Sequence, residues 1–258
     1  MISRTGFISI CLLIFSQLAS LNLYAQGEID DDTKIIFRNE RSLGVNLNTR
    51  GYGASFRYGK FQSVSRKMLI EGGLNYIKHP KEISITYLNQ SKPFVYGKVN
   101  SVYNFHIEYG YQKEIFSKYD KEGIAVRYYI TLGPNFGFLK PKLYEVTYPS
   151  GERTTEGFVE FLENNMINSH GGGGTITGNA AYFDGIGDTR IVPGLHLTLG
   201  LNFDYGTSDD LYNAFDVGIM IDVFMEKMNI MHSDEGRAEQ FFVTAFLSYR
   251  IGRILDAY

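Results

Sequence analysis

Tryptophan is absent from the 258 residues, and cysteine occurs once, at Cys11. One thiol makes neither an intramolecular disulfide nor a multi-cysteine metal centre. Proline is scarce, at six, and charged residues reach only 21%. That balance argues against a linker-like or disordered chain. No excess of one charge exists either: 25 basic residues stand against 28 acidic ones, so nothing electrostatic points to nucleic acid. Stretches of 18 or more apolar residues are also missing, which excludes a membrane-spanning helix.

The first 25 residues have the order of a secretory signal peptide. Arg4 supplies the positive start, residues 7–15 (FISICLLIF) form a short apolar core, and Ala25 is the small residue before the expected cut. Cys11 lies within that core and not after it, so it does not read as a lipidation site. Cleavage removes one Arg and no acid, which leaves 24 basic and 28 acidic residues, or −4. The exported chain then carries no cysteine, as befits a bacterial envelope protein. Residues 26–38, acidic and then briefly apolar, read as a periplasmic N-terminal segment ahead of a domain over 39–258.

What is abundant is tyrosine and phenylalanine, 19 of each, in runs that alternate with period two. In 195–205 (LHLTLGLNFDY), Leu195, Leu197, Leu199, Leu201, Phe203 and Tyr205 share one face, and His196, Thr198, Gly200, Asn202 and Asp204 the other. The same alternation runs through 43–48, 52–60, 68–77, 103–111, 124–138, 215–223 and 241–251. Many of these runs exceed the roughly 5–6 residues usual in soluble sheets and approach the 9–11 needed to cross a bilayer at a tilt. Tyr52, Tyr58, Tyr109, Tyr205 and Tyr249 stand near strand ends, where a ring and a wet hydroxyl suit the lipid boundary.

The polar faces carry charges of both signs: Arg57, Glu71, Glu108, Arg127, Asp204, Asp216, Asp222 and Arg250. In a closed barrel these converge as one lumen charge network, with acids and bases paired. Inward glycines (Gly44, Gly53, Gly73, Gly110, Gly133, Gly200, Gly218) leave room for the long side chains opposite. The expected fold is an all-β, eight-stranded, antiparallel up-and-down transmembrane β-barrel, with a lumen just wide enough to be filled by side chains. Short polar connections (62–67, 117–123, 206–210) alternate with a second set (49–52, 80–93, 149–190, 229–237). Both termini then face the periplasm and the long 149–190 loop lies outside the cell. The C-terminal RIGRILDAY ends on Tyr258, like the last strand of outer-membrane barrels.

The segments NTRGYGASFRYGK (48–60), IKHPKE (77–82), PFVYGKVN (93–100), GFLKPKLYEV (137–146) and PGLHLTLGLNFDYG (193–206) resemble a family of outer-membrane barrels from Bacteroidota-type bacteria. The resemblance spans nearly the whole mature chain and rests on structural motifs. It implies fold and location, and carries no catalytic or ligand residues.

Candidate chemistry is sparse. In 170–179 (HGGGGTITGN), Gly173 and Gly178 have the glycine spacing of a phosphate loop, but Asn179 replaces the required lysine. A mobile surface loop is expected there, with no nucleotide. None of the five histidines has H-x-H or H-x-x-x-H spacing. His106 and His196 both point inward and can meet near Glu108 or Asp204; hydrogen-bonded lumen histidines are favoured over a metal site. The mid-strand acids read as partners of Arg57, Arg127 and Arg250, so no catalytic residue, metal or cofactor is expected. The favoured role is a structural or interaction barrel with outer-membrane lipid around it. It contacts another outer-membrane or surface protein through 149–190. Phe158, Phe161, Leu162, Met166 and Ile167 there either dock on such a partner or fold back over the barrel mouth. An accessory subunit of an assembly, secretion or uptake machine is the alternative, and an outer-membrane enzyme ranks below it.

Overall fold

The computed structural model describes residues 39–63, 65–85, 93–118, 123–167, 173–206, 211–232 and 239–255. The expected signal peptide at 1–25, the segment 26–38, the terminal Tyr258 and residues 170–172 of the glycine run lie outside the described residues. Eight strands close into one antiparallel barrel. They are β1 (Asn39–Asn48), β2 (Gly51–Ser63), β3 (Arg66–Ile77), β6 (Asn100–Phe116), β7 (Ala125–Pro141), β11 (Arg190–Asp204), β12 (Leu211–Met228) and β13 (Glu239–Leu255). Each pairs with its predecessor among the eight, and the ring closes where β1 meets β13, from Asn39↔Leu255 to Asn48↔Phe246. All eight alternating runs fall on these strands. The connections after β2, β6 and β11 are short and define the lower end, while the others define the upper end.

The barrel is inside out relative to a water-soluble one. Leu43, Val45, Leu47, Ile107, Leu195, Val217, Ile219, Val243 and Leu247 are exposed on its outer face, whereas Asn104, Asp216, His196 and Asn202 are wholly buried within it. Alternation of side chains across each strand produces both faces from one sequence pattern. Aromatic rings collect near the strand ends. Tyr52, Tyr76 and Tyr103 pack in a row toward the top, with centroids 5.6 and 5.3 Å apart. Tyr205, Phe215 and Tyr249 do so toward the bottom, at 5.4 and 5.1 Å.

Near the top, the inward positions change from polar to apolar. Ile77, Val102, Leu139, Val192, Phe224 and Phe242 form a buried cluster inside the upper barrel with Met228 and Ile230. Further along the interior, Leu69, Tyr129, Met220 and Phe246 form a second, smaller one.

Above the barrel, the connection between β7 and β11 folds into structure of its own. A sheet of β8 (Leu143–Thr147), β9 (Arg153–Gly157) and β10 (Thr175–Asn179), in the order β10-β8-β9, is followed in the chain by a helical turn at Ile186–Asp188. Helix α1 (Phe158–Ile167) packs on the sheet, and the connection after β3 adds the small hairpin of β4 (Ser84–Ile85) and β5 (Phe94–Val95). Phe158, Phe161 and Ile176 share a core with Phe94, Tyr144 and Val146, and Leu162 packs against it. Tyr144 Oη ties the two connections together, lying 2.7 and 2.8 Å from the carbonyl oxygens of Val95 and Lys98.

Two expectations for 149–190 change accordingly. Residues 175–179 of the glycine-rich stretch are a strand, not a mobile loop. A Cβ at Gly174 would stand 2.7 Å from Val146 and 2.8 Å from Tyr148, so this glycine serves close packing. Phe158 and Phe161 are 3% and 7% exposed, so they are core residues and not a docking surface. The positions 158, 161 and 162 lie on one face of a helix, and that face is turned inward. Met166, at 74% exposure, is the residue of that set left facing out. Ile167 ends the helix, and its side chain lies outside the described residues.

Candidate functional site in the barrel interior

Among the described residues, the interior holds three groups of charged side chains. At the first, Arg57 on β2, Glu71 on β3, Asp216 on β12 and Arg250 on β13 form a neutral quartet. Arg57 Nε meets Glu71 at 2.7 Å and its Nη1 meets Asp216 at 3.0 Å. Arg250 Nε meets Asp216 at 2.7 Å, and its Nη2 donates to Glu71 and, at 2.9 Å, to Ser55. Tyr129 donates to Asp216 at 3.1 Å, and its ring lies 4.2 Å under the Arg57 guanidinium. Each acid is thus held by two cations, the condition under which buried charge is tolerated.

The second group is nearer the lower end. Asp204 accepts from Arg127 at 2.9 Å and from Lys118 at 3.0 Å, Arg127 also meets Glu114 at 3.1 Å, and Lys67 pairs with Glu40.

The third group surrounds two histidines. His106 on β6 and His196 on β11 stack with ring centroids 4.3 Å apart and an interplanar angle of 14°. His196 Nε2 lies 2.6 Å from Glu108, and its Nδ1 lies 2.5 Å from Asp222. Both ring nitrogens therefore face carboxylates. Glu108 also accepts from Thr198 at 2.9 Å and from Thr131, while Asp222 accepts from Asn104 at 2.6 Å and Asn135 at 2.8 Å. His106, Glu108 and His196 each bring one ligand atom within 4.8 Å of the others'.

Glycine permits these contacts between strands that are not neighbours. Gly133 on β7 faces His196 in the sheet register and leaves bare backbone between β6 and β11. A Cβ there would stand 2.8 Å from Glu108 Cα. Tyr129 reaches from β7 to β12 across Gly200, whose Cβ would meet its ring at 2.5 Å. Arg250 crosses β1 at Gly44, where a Cβ would lie 3.1 Å from its side chain.

All eight charged residues read from the sequence as inward are buried inside the barrel. They do not form the single network expected. Glu71, Asp204 and Asp216 pair with arginines as anticipated, but Glu108 and Asp222 pair with His196. Glu71 and Glu108 face each other directly in the β3–β6 register, a costly arrangement for like charges. They turn in opposite directions, Glu71 to the arginines and Glu108 to the histidine. The histidines do meet near Glu108, with Asp222 and not Asp204 as the second acid. Glu40, Lys67, Glu114, Lys118 and Tyr129 join these groups in addition to the eight. Parity with Arg127 and Thr131 was the available signal for Tyr129.

Outside the interior, a cavity of about 470 Å³ lies beneath the upper structure, lined by Tyr76, Lys78, Lys98, Lys140, Lys142 and Tyr182 among others. Burial, and then the charges of Lys98 and Lys140, push the Lys142 ammonium below the usual lysine range.

No family model matches the chain, and no curated protein matches it. Among solved structures, Neisserial surface protein A (NspA) is 8% identical with a TM-score of 0.40, over 84% of this chain and 96% of its own. Ail, the attachment invasion locus protein of Yersinia pestis, in complex with the heparin analogue sucrose octasulfate, is 8% identical with a TM-score of 0.39, over 84% and 97%. The outer membrane enzyme PagL is 9% identical with a TM-score of 0.30, over 84% and 99%. The closed eight-stranded barrel of this chain stands on its own register and burial pattern.

Proposed function

We propose that this chain is an outer-membrane interaction barrel, exported through a cleavable signal peptide, with a lumen plugged by side chains and an upper structure that faces outward from the cell. The observation carrying the reading is the inverted burial: Leu43 is 67% exposed on the outer face while Asp216 is wholly buried inside. Such an apolar belt is stable only in lipid, and an exported chain without a spanning helix meets lipid as a barrel in the outer membrane. The sequence resemblance to Bacteroidota-type barrels agrees with this location.

The plug reading is supported by the apolar layer near the top of the interior and by the tightly paired charges beyond it. Planar bilayers containing the folded protein should show no steady conductance of porin size. Steady channels would remove the plug from the proposal.

The recognition surface in this reading shifts from Phe158 and Phe161 to the residues left outside. Met166, Tyr182, Phe183 and Ile186 are exposed apolar side chains of the upper structure. A partner surface protein, or a larger outer-membrane machine of which this barrel is an accessory subunit, is the expected occupant. A photoreactive residue at position 183 in intact cells should give one dominant adduct. A folded, surface-accessible barrel that yields no adduct there would reject this surface. Fractionation tests the location: the mature chain should begin near Gln26 and sediment with the outer membrane.

In the same reading the chain is not an enzyme. Thr198, His196 and Asp222 stand in the order of a hydroxyl–imidazole–carboxylate relay, at 3.1 and 2.5 Å. Burial supports a structural role for them: the hydroxyl donates to Glu108, and neither Thr198 nor His196 is open to a substrate.

A further inference from the structure

We propose that His106, Glu108 and His196 bind a divalent transition-metal ion of the zinc class inside the barrel, with Asp222 holding the His196 ring from behind. Four observations converge on this site. The first is ligand placement: the three side chains already offer ligand atoms within 4.8 Å of one another. Around an ion with bonds of about 2.0–2.1 Å, tetrahedral ligand atoms stand about 3.3 Å apart. Binding turns the His106 ring out of its 14° stack so that both lone pairs converge, and opens the 2.6 Å contact between His196 Nε2 and Glu108.

The second is the support behind the ligands. A metal-bound histidine ordinarily donates its other ring N–H to a carboxylate, which fixes the ring and its tautomer. Asp222 does this at His196 Nδ1, and is itself held by Asn104 and Asn135. Glu108 is oriented by the hydroxyls of Thr131 and Thr198.

The third is an unmet need. His106 Nδ1 is buried with no hydrogen-bond partner. His106 is also given space: a Cβ at Gly73 would lie 2.5 Å from its Nε2. The fourth is charge. Glu108 and Asp222 carry two negative charges, and His196 donating from both nitrogens carries one positive. An M²⁺ ion that displaces the Nε2 proton to bulk water brings the group from −1 to neutral. Two imidazoles and one carboxylate suit zinc, cobalt or nickel over magnesium or calcium, and a water fills the remaining position.

The test uses the full mature chain, refolded in detergent with zinc chloride, and separately given zinc after folding. Metal content is measured after dialysis, with folding checked by far-UV circular dichroism and heat-modifiable gel mobility. Wild type should retain about one equivalent. His106→Ala and Glu108→Gln should lose stoichiometric retention while remaining folded, and His79→Ala, outside the barrel interior, should keep it. Asp222→Asn should weaken binding about 10–100-fold. Cobalt(II) refolded into wild type should show the intense visible bands of a low-coordinate nitrogen/oxygen site, which decides the matter if the variants do not fold. Substoichiometric zinc in folded wild type, unchanged retention in folded His106→Ala, or cobalt spectra like those of the aqueous ion would each overturn the site. The cluster would then be a stacked histidine pair with His196 held between two carboxylates only.

Discussion

Replacing Ile219 by arginine tests the environment of the outer face with one side chain. Ile219 is 45% exposed on β12, with Leu199 and Ala245 as its register partners on either side. Each strand residue rises about 3.3 Å, or about 2.5 Å in height at a tilt near 40°. Phe215, in the lower aromatic row, is four positions away, and Lys227, toward the top, is eight away. Ile219 therefore sits about 10 Å above the lower rings, close to the middle of a band about 25 Å tall, where a guanidinium has no short route to water. Arginine should cost about 2–4 kcal/mol there. Ile219→Ala, which brings no charge, should cost clearly less. Urea titration of the barrel in lipid vesicles, followed by far-UV circular dichroism because the chain has no tryptophan, reads both values. A cost below about 0.5 kcal/mol for Ile219→Arg, within the range of ordinary surface substitutions, would mean that this face does not meet lipid.

Other perturbations report on the interior and the upper structure. Arg250→Leu leaves Glu71 and Asp216 to share Arg57 and should destabilise by about 3–5 kcal/mol in the same titration, whereas Arg50→Leu, at a partly exposed pair with Glu239, should cost about 1 kcal/mol or less. Gly200→Val drives a side chain into the Tyr129 ring; a loss of about 1–3 kcal/mol is expected, and much of it should disappear in a Tyr129→Leu background if the clash is the cause. Lys142→Met removes an ammonium whose proton the folded state holds less tightly than the unfolded chain does. Wild-type stability should therefore rise with pH toward the ordinary lysine range. The variant should be the more stable at neutral pH, with that part of its advantage gone above about pH 10.4; a gap independent of pH would refute the assignment.

Strand identity and facing were legible because they rest on a period of two that a membrane barrel enforces along every strand. Leu195 to Tyr205 needed no partner to reveal its two faces. Pairing inside the lumen was not legible in the same way. Which acid meets which base depends on strand order, stagger and glycines on the strand between, so the sequence points Glu108 and Asp222 to arginines that they do not reach. Thr198 reads from sequence only as one of the polar-face residues of 195–205, yet it donates to Glu108, and its replacement removes a bond to a charged acceptor. The apolar layer at Val102, Leu139, Val192 and Phe242 sits in the correct parity, but flanking residues such as Phe138, Ile191, Phe241 and Val243 are apolar too, so the alternation fades there. The helix at 158–167 carried a usable signal, apolar residues at i, i+3 and i+4, inside a stretch whose glycines suggested a loop.

The quartet of Arg57, Glu71, Asp216 and Arg250 straddles the seam at which the two ends of the sheet meet. Arg57 and Glu71 are register partners on β2 and β3, and Arg250 and Asp216 belong to the adjoining strands β12 and β13. Either hairpin, alone, already carries a cation beside an anion. An open sheet entering lipid thus presents two dipoles and no bare charge at this level, with the unpaired β1 and β13 edges still apart. When those edges zip together, each arginine gains the acid of the opposite hairpin, Asp216 for Arg57 and Glu71 for Arg250. These two contacts exist only in the finished cylinder, so they act as a latch: they oppose reopening of the seam without having hindered the approach to it.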